Sequence, residues 1–184
     1  MNKKLKLWEL NRLSHEQFAQ KKKIPVIVVL DDIRSFENVG AIFRTADAFC
    51  IEQVFLCGIT PVPPHREIHR TALGATESVS WQYFKTTHKA VEQLIEIKFS
   101  IYAIEQAEKT TLLHNLNTIK FEKIALVFGN EVNGVNQEII NRCHGVIEIP
   151  QFGTKHSLNV SVCAGVILWE CSRLLNPEMQ DQRL

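Results

Sequence analysis

The chain has no stretch of the roughly 18 to 20 consecutive apolar residues that a helix needs to cross a bilayer. A membrane-spanning helix is therefore not expected. The first residues, MNKKLKLWELNRLSHEQ, carry lysines with no apolar segment behind them, which excludes a secretory leader of the usual kind and makes the cytoplasm the default expectation. No C-x-x-C pair occurs. The five cysteines (Cys50, Cys57, Cys143, Cys163, Cys171) are scattered, four of them in apolar runs where a free thiol behaves as a small buried hydrophobe. A reduced compartment fits this better than a disulfide framework. His65 and His69 stand at helical spacing, but no glutamate or third ligand completes a zinc pattern, so no metal is expected.

Net charge is also nearly absent, at a formal +1, and does not advertise a polyanionic partner. Its distribution says more. Residues 1–25 carry Lys3, Lys4, Lys6, Arg12, Lys21, Lys22 and Lys23 against only Glu9 and Glu16, leaving the rest of the chain slightly acidic. A basic arm on a near-neutral body suits phosphate contact; a merely solubilising terminus is the equally economical reading.

What is present is an alternation. Ser14-His15-Glu16-Gln17 is a candidate capping box opening a short helix that Pro25 should end. Strand-like runs then recur at 26–30 (VIVVL), 53–57, 79–84, 100–104, 123–128 and 145–149, with helical patterns between them at 38–49, 65–75, 87–99, 135–143 and 157–175. No Asn-Gly or Asp-Gly turn joins neighbouring strands as a hairpin. Strands alternating with helices predict βαβ crossovers: a single α/β domain whose mostly parallel sheet is covered by helices on both faces. The expected division is a basic extension at 1–24, the α/β domain at 25–175 and a polar tail at 176–184. Ligands of such sheets bind beyond the carboxyl ends of strands, which directs attention to the segments after Leu30, Phe128 and Ile149.

Each of those segments is chemically unusual. The first, Asn38-Val-Gly-Ala-Ile-Phe-Arg44-Thr-Ala46, opens a helix with Asn38 as its expected N-cap. Arg44 is an odd cation among Ile42, Phe43, Ala46 and Phe49; the plain structural alternative is a snorkelling arginine paired with Asp47 or Asp31. The second, Phe128-Gly129-Asn130-Glu131-Val132-Asn133-Gly134, has two glycines that permit a tight loop beside a ligand, without the Gly-Lys-Ser/Thr of a phosphate loop or a G-x-G-x-x-G fingerprint. The third, from Ile149-Pro150 through Gly153 to Ser157-Leu158-Asn159-Val160-Ser161, places two helix-capping side chains, Ser157 and Asn159, at one strand end. One cap would suffice, so the pair suggests a ligand.

Together and in this order, NVGAIFRTA, FGNEVNG and IPQFGTKHSLNVS resemble the signatures of the SPOUT superfamily, specifically its TrmH-type tRNA/rRNA ribose 2′-O-methyltransferases, over about residues 24–175. Any one motif alone is weak; the ordered trio is specific. The resemblance implies a C-terminal trefoil knot, a feature nearly absent from other folds. It implies S-adenosylmethionine as co-substrate, held mainly by backbone groups at positions matching Gly129, Ile149, Leu158 and Ile104. It places Arg44 against the ribose hydroxyl and a neighbouring phosphate, with Asn38 holding the site, Ser157 and Asn159 as polar supports, and Glu131 holding Arg44 or its own loop. Because arginine stays charged and is a poor base, its expected part is orientation and charge stabilisation ahead of proton removal.

Lys21, Lys22, Lys23 and Arg12 are the expected RNA contacts. RNA, and tRNA before rRNA, is the expected partner, since the short chain leaves no room for a separate N-terminal RNA-binding domain. A homodimer is expected as well, because the last helix is apolar around most of its circumference. Three competitors remain: an rRNA methyltransferase of the same fold, an inactive knotted RNA-binding protein, and a dinucleotide oxidoreductase, which lacks its glycine fingerprint.

Overall fold

The β-branched run near residue 26 becomes an inner strand of the sheet. In the computed structural model, which describes residues 2–10 and 12–180, it forms β1 (Ile24–Asp31), followed by β2 (Ile51–Cys57), β3 (Ser80–Phe84), β4 (Ser100–Ile104), β5 (Thr111–Leu112), β6 (Ile124–Phe128) and β7 (Gly145–Glu148). They lie in the order β3-β2-β1-β6-β4-β7-β5, and every neighbouring pair is parallel. Six of the seven were expected. β5 was not, because a two-residue strand has no periodicity to read.

Alternation along β1 builds two cores at once. Val26, Val28 and Leu30 point into one, with Val39, Ile42, Phe43 and Ala46 of α2 (Phe36–Ala48) and Ala164, Ile167, Leu168 and Cys171 of α7 (Val160–Leu175). Ile27 and Val29 point into the other, against Ala90, Val91 and Leu94 of α5 (Thr87–Glu96) and Ile139 of α6 (Gln137–Ile140). Both faces are thus covered, which explains why β1 reads as continuously apolar. The α/β expectation with helices on both faces holds.

Several boundaries move for local reasons. Pro25 does not end the first helix. That helix, α1 (His15–Gln20), has the expected capping box at Ser14 and stops at Lys21, whose backbone is extended. Pro25 instead lies inside β1 at a register irregularity between Ile24 and Ile27, before the β6 ladder begins at Val26, so its missing N–H costs no bond in that ladder. The expected 65–75 helix splits into α3 (Arg66–Ala72) and α4 (Ala75–Ser78), because Leu73 and Gly74 take left-handed backbone angles of φ 50° and 90°. The helix expected at 135–143 shrinks to the single turn of α6. Of the polar tail, Pro177–Gln180 forms the short α8, and residues 181–184 fall outside the described residues.

Gly40 is a position where a side chain is excluded by packing. A Cβ there would collide with the Thr71 hydroxyl and the Ile68 carbonyl of α3. α3 therefore lies directly on the first turns of α2 and fixes the end that carries Asn38.

Candidate active site

The sheet changes direction at β1: β2 and β3 run to one side, β6 and β4 to the other. Above the carboxyl ends of β4, β6 and β7 lies a cavity of about 500 Å³. Ile104, Gly129, Ile149 and Leu158 line it, with Glu131, Ser157 and Asn159, all seven from the sequence expectations. Its position is the one the strand-end rule assigns to a ligand.

Side-chain hydrogen bonds join three separated motifs beside this cavity, which Glu131 and Asn159 line and Asn38 borders through its bonds to both. The Glu131 carboxylate accepts from the backbone N–H groups of Arg34 (3.0 Å) and Ser35 (3.1 Å) and from Asn38 Nδ2 (3.0 Å). Asn38 Oδ1 in turn accepts from Asn159 Nδ2 at 3.1 Å. Asn159 Oδ1 takes the N–H groups of Ser161 (2.9 Å) and Val162 (3.4 Å), capping α7. Asn159 is thus both helix cap and bridge. Burial pushes the Glu131 carboxyl up, but the donors of Arg34, Glu131 itself, Asn38 and Ser35 outweigh it and hold the group below its ordinary value.

Two expectations change here. Asn38 is not the N-cap of α2; Ser35 is, accepting from Asn38 N–H at 3.2 Å, which leaves the Asn38 side chain available for Glu131 and Asn159. Of the two readings for Glu131, the bond to Arg44 is not made; Glu131 holds Asn38 and the backbone at 34–35, with its own backbone N–H beside them. Six residues along α2 carry a side chain about 9 Å down the axis and about 120° around it, so Asn38 and Arg44 face different spaces.

Arg44 is exposed and lines a second cavity, of about 480 Å³, with Arg12, Lys21, Leu10, Leu13 and Phe18 of the N-terminal arm. Neither pairing foreseen for a structural arginine is made. Asp47 accepts from the Ser78 hydroxyl at 2.5 Å, and Asp31 accepts from the Thr87 hydroxyl and from Asn136 N–H (3.3 Å). Of the expected RNA contacts, Arg12 and Lys22 are exposed; Lys21 pairs with Glu178 at 2.9 Å, and Lys23 lies over the Phe18 ring and donates to the Phe18 carbonyl.

The cavity walls fit a nucleoside-like cofactor. Ile104, Ile149, Leu158 and Val160 supply apolar faces, and the strand ends and tight loops supply backbone donors and acceptors. The loop is closed by Gly129, where a Cβ would run into the backbone of Gly134 and Val135. Among the described residues, no lysine, arginine or histidine lines the cavity, whereas Glu105, Glu131 and Glu148 do, a setting that suits a cationic rather than a phosphorylated ligand. Cys163 also lines the cavity, but burial pushes its thiol up to about 12, so it stays protonated and is no nucleophile near neutrality. Among the described residues, no group of three or more His, Cys, Asp or Glu side chains is placed to hold a metal ion.

Sequence reasoning missed Glu105, Gln106, Asn130 and Glu148. The available signal was position: Glu105 and Asn130 each lie one or two residues beyond a strand end. Asn130 Nδ2 donates to the Asp32 carbonyl (2.6 Å), tying the β6 loop to the end of β1.

Comparison with known proteins places this geometry. Residues 25–169 match the family model described as the SpoU rRNA Methylase family. The chain is 30% identical over 165 residues to a tRNA (guanosine(18)-2′-O)-methyltransferase of Thermus thermophilus, covering 90% of this chain and 83% of that one. It is 31% identical over 150 residues to a 23S rRNA (guanosine-2′-O-)-methyltransferase of Neisseria meningitidis, covering 81% of this chain and 58% of that one. Among solved structures, an AdoMet-bound rRNA methyltransferase from Sinorhizobium meliloti superposes with a TM-score of 0.76 at 26% identity, over 86% of this chain and 60% of that one. The chain therefore spans a little over half the length of the latter two.

Proposed function

The chain belongs to the SpoU rRNA methylase family, and from that premise we propose that it is an S-adenosylmethionine-dependent RNA ribose 2′-O-methyltransferase acting on tRNA in the cytoplasm. The observation that carries the reading is the Glu131–Asn38–Asn159 chain of hydrogen bonds, which draws the three sequence motifs to the rim of one strand-end cavity. A structural role alone requires no such convergence of three segments that are remote in sequence. Preference for tRNA is supported by the longer match to the tRNA enzyme, which spans 83% of that protein against 58% of the rRNA enzyme.

Bound S-adenosylmethionine supplies an electrophilic methyl group on a sulfonium. The backbone at Gly129 and at Ile149–Leu158 would hold it, with Ile104, Ile149 and Leu158 walling the adenine. Asn38 is oriented from both sides, by Glu131 and by Asn159, and so presents a fixed amide beside the place where a ribose would enter. Ser157 lines the same cavity, and its hydroxyl is taken as a polar support for substrate or cofactor. Arg44 carries the charge that the cofactor cavity lacks, and it acts on the substrate phosphate and ribose hydroxyl. Because Arg44 and Asn38 open on different spaces in one chain, both serve one reaction if α2 of one subunit borders the cavity of another. That requirement supports a homodimer. The return of β7 into the place between β4 and β5 supports the C-terminal knot, and 25–175 is taken as the catalytic domain behind the basic arm.

Transfer of labelled methyl from S-adenosylmethionine to total tRNA, run beside rRNA, tests the proposal. Incorporation into tRNA, lost when the target carries 2′-deoxyribose, is expected. Incorporation into rRNA alone replaces the substrate, and cofactor binding with neither RNA methylated replaces the enzyme by an RNA-binding protein.

A further inference from the structure

The cofactor cavity has two walls made of loops: residues 129–134 after β6, and residues 149–159 after β7. Neither loop is regular structure, so side-chain ties must set the distance between them; Glu131 and Asn159, joined through Asn38, supply one such tie. The two residues immediately beyond β4, Glu105 and Gln106, lie between these walls and line the same cavity. Each is bonded to a different wall.

Glu105 reaches the first wall. Its Oε2 accepts from Val135 N–H at 3.0 Å, while Oε1 accepts from Gln106 N–H at 2.9 Å. The fit is close: a Cβ on Gly134, whose φ is 67°, would overlap the Glu105 carboxylate. Glycine at 134 is therefore required twice, for the left-handed backbone and for the approach of this side chain. The other side of the segment reaches the second wall. Gln106 Nε2 donates to the His156 carbonyl at 2.7 Å, one residue before Ser157. The backbone between them is anchored, since Glu105 N–H donates to the Ile147 carbonyl of β7 at 3.2 Å.

We propose that Glu105 and Gln106 form a strap that positions the cofactor. Glu105 holds the β6 loop, Gln106 holds the segment leading to Ser157 and Leu158, and together they set the width of the cavity. The inference rests on the reading of that cavity as the S-adenosylmethionine site. Both are positioning residues; their effect on the reaction passes through Gly129, Ser157 and Leu158. What the strap needs from Glu105 is an acceptor for Val135 N–H, not a negative charge, and this separates positioning from electrostatic attraction of a cation.

The test uses the full chain with Glu105→Ala, Glu105→Gln and Gln106→Ala, measuring the KM for S-adenosylmethionine, the KM for RNA and kcat. Hydrogen exchange at 129–136 and 151–158 is followed without ligand. Glu105→Ala is expected to raise the cofactor KM about tenfold, the equivalent of one lost charge-assisted hydrogen bond, with the RNA KM unchanged. Glu105→Gln keeps an oxygen acceptor and is expected to restore the cofactor KM to within about threefold of wild type. Gln106→Ala is expected to raise the cofactor KM and to speed exchange at 151–158 but not at 129–136.

Equal damage from Gln and Ala at position 105 would show that charge, not the bond, is at work, and the strap would be discarded. Unchanged exchange at 129–136 in Glu105→Ala would also discard it. If the wild-type protein binds no S-adenosylmethionine, the cofactor reading fails by itself. The exchange pattern then still decides whether Glu105 and Gln106 hold the two walls.

Discussion

Arg44 and Glu131 are both charged, and their surroundings give them opposite tasks. Arg44 is paired with neither Asp47 nor Asp31, the partners a structural arginine on this helix would take, and it opens into a cavity with Arg12 and Lys21. If Arg44 contacts the substrate as proposed, Arg44→Ala and Arg44→Lys are both expected to lower single-turnover methylation by about 10² to 10³, because an ammonium cannot reproduce the planar fork a guanidinium offers to a phosphate and a hydroxyl at fixed angles. Calorimetric affinity for S-adenosylmethionine should stay near wild type, since Arg44 does not line that cavity. Methylation by Arg44→Ala within a few-fold of wild type would reduce Arg44 to a surface side chain.

Glu131, by contrast, is committed to holding Asn38 and the start of α2. With its carboxyl held below the ordinary glutamate value of about 4.3, its bonds are fully present above that value and are lost only as pH falls through the lower folded value. Glu131→Gln should therefore lower the rate without removing any ionisation from the pH profile between about 5 and 9, because its own titration lies below that window. Disappearance of a limb near neutrality in this variant would make Glu131 a general base instead.

At the scale of elements, α2 and the N-terminal arm decide what the charges can reach. The arm is not a loose tail: Phe18 is buried, Ser14 caps α1, and Lys21 is paired to Glu178 of α8. Its leucines and Arg12 form one side of the Arg44 cavity. Deleting residues 1–23 is expected to weaken RNA binding and to flatten its salt dependence by about 0.7 to 0.9 in log–log slope for each phosphate no longer neutralised. Cofactor affinity should be retained. Because the deletion also uncovers the surface under Phe18, Arg12→Ala with Lys22→Ala gives the same measurement without that disturbance. An unchanged salt slope in both would make the arm a solubilising terminus. The motif helices were legible as elements because their apolar residues recur at helical spacing, as Val39, Ile42, Phe43 and Ala46 do on α2. Their exact starts were not, since Ser35 and Asn38 are both acceptable caps and only the partner at Glu131 decides between them.

For the whole molecule, the proposed homodimer is tested at α7. Ala164, Ile167, Leu168 and Cys171 face the core, but Val162, Val166 and Trp169 are exposed at 53%, 40% and 51%. These three lie on one stripe, and Phe49 at the end of α2 meets Trp169 edge-on at 6.0 Å. A two-fold contact through this patch would cover it with its own copy and bring α2 of each subunit to the other. Light scattering is expected to give the mass of a dimer. Val166→Glu, which puts a charge in the middle of the stripe, is expected to give a monomer that has lost methylation and keeps its fold by circular dichroism. A wild-type mass that stays monomeric at all concentrations would remove the homodimer and the shared site with it.

Local patterns in the chain were enough to establish the α/β class, six of the seven strands and the strand ends where Ser157 and Asn159 stand as paired caps; Ile104, Gly129, Glu131, Ile149 and Leu158 were given site roles by the resemblance of the ordered motifs to a known family. Period-two and helical patterns, strand ends, glycines and caps all lie within a few residues of one another. Which motifs meet was settled by the folded arrangement alone. That Glu131 holds Asn38 and not Arg44, that Asn159 bridges to Asn38 as well as capping its helix, and that Glu105 and Gln106 span two loops all depend on crossings between strands distant in sequence. The order β1-β6-β4-β7 sets those crossings. No spacing along the chain encodes which loop will lie beside which, because strand order in a parallel sheet is fixed by the burial of both faces at once.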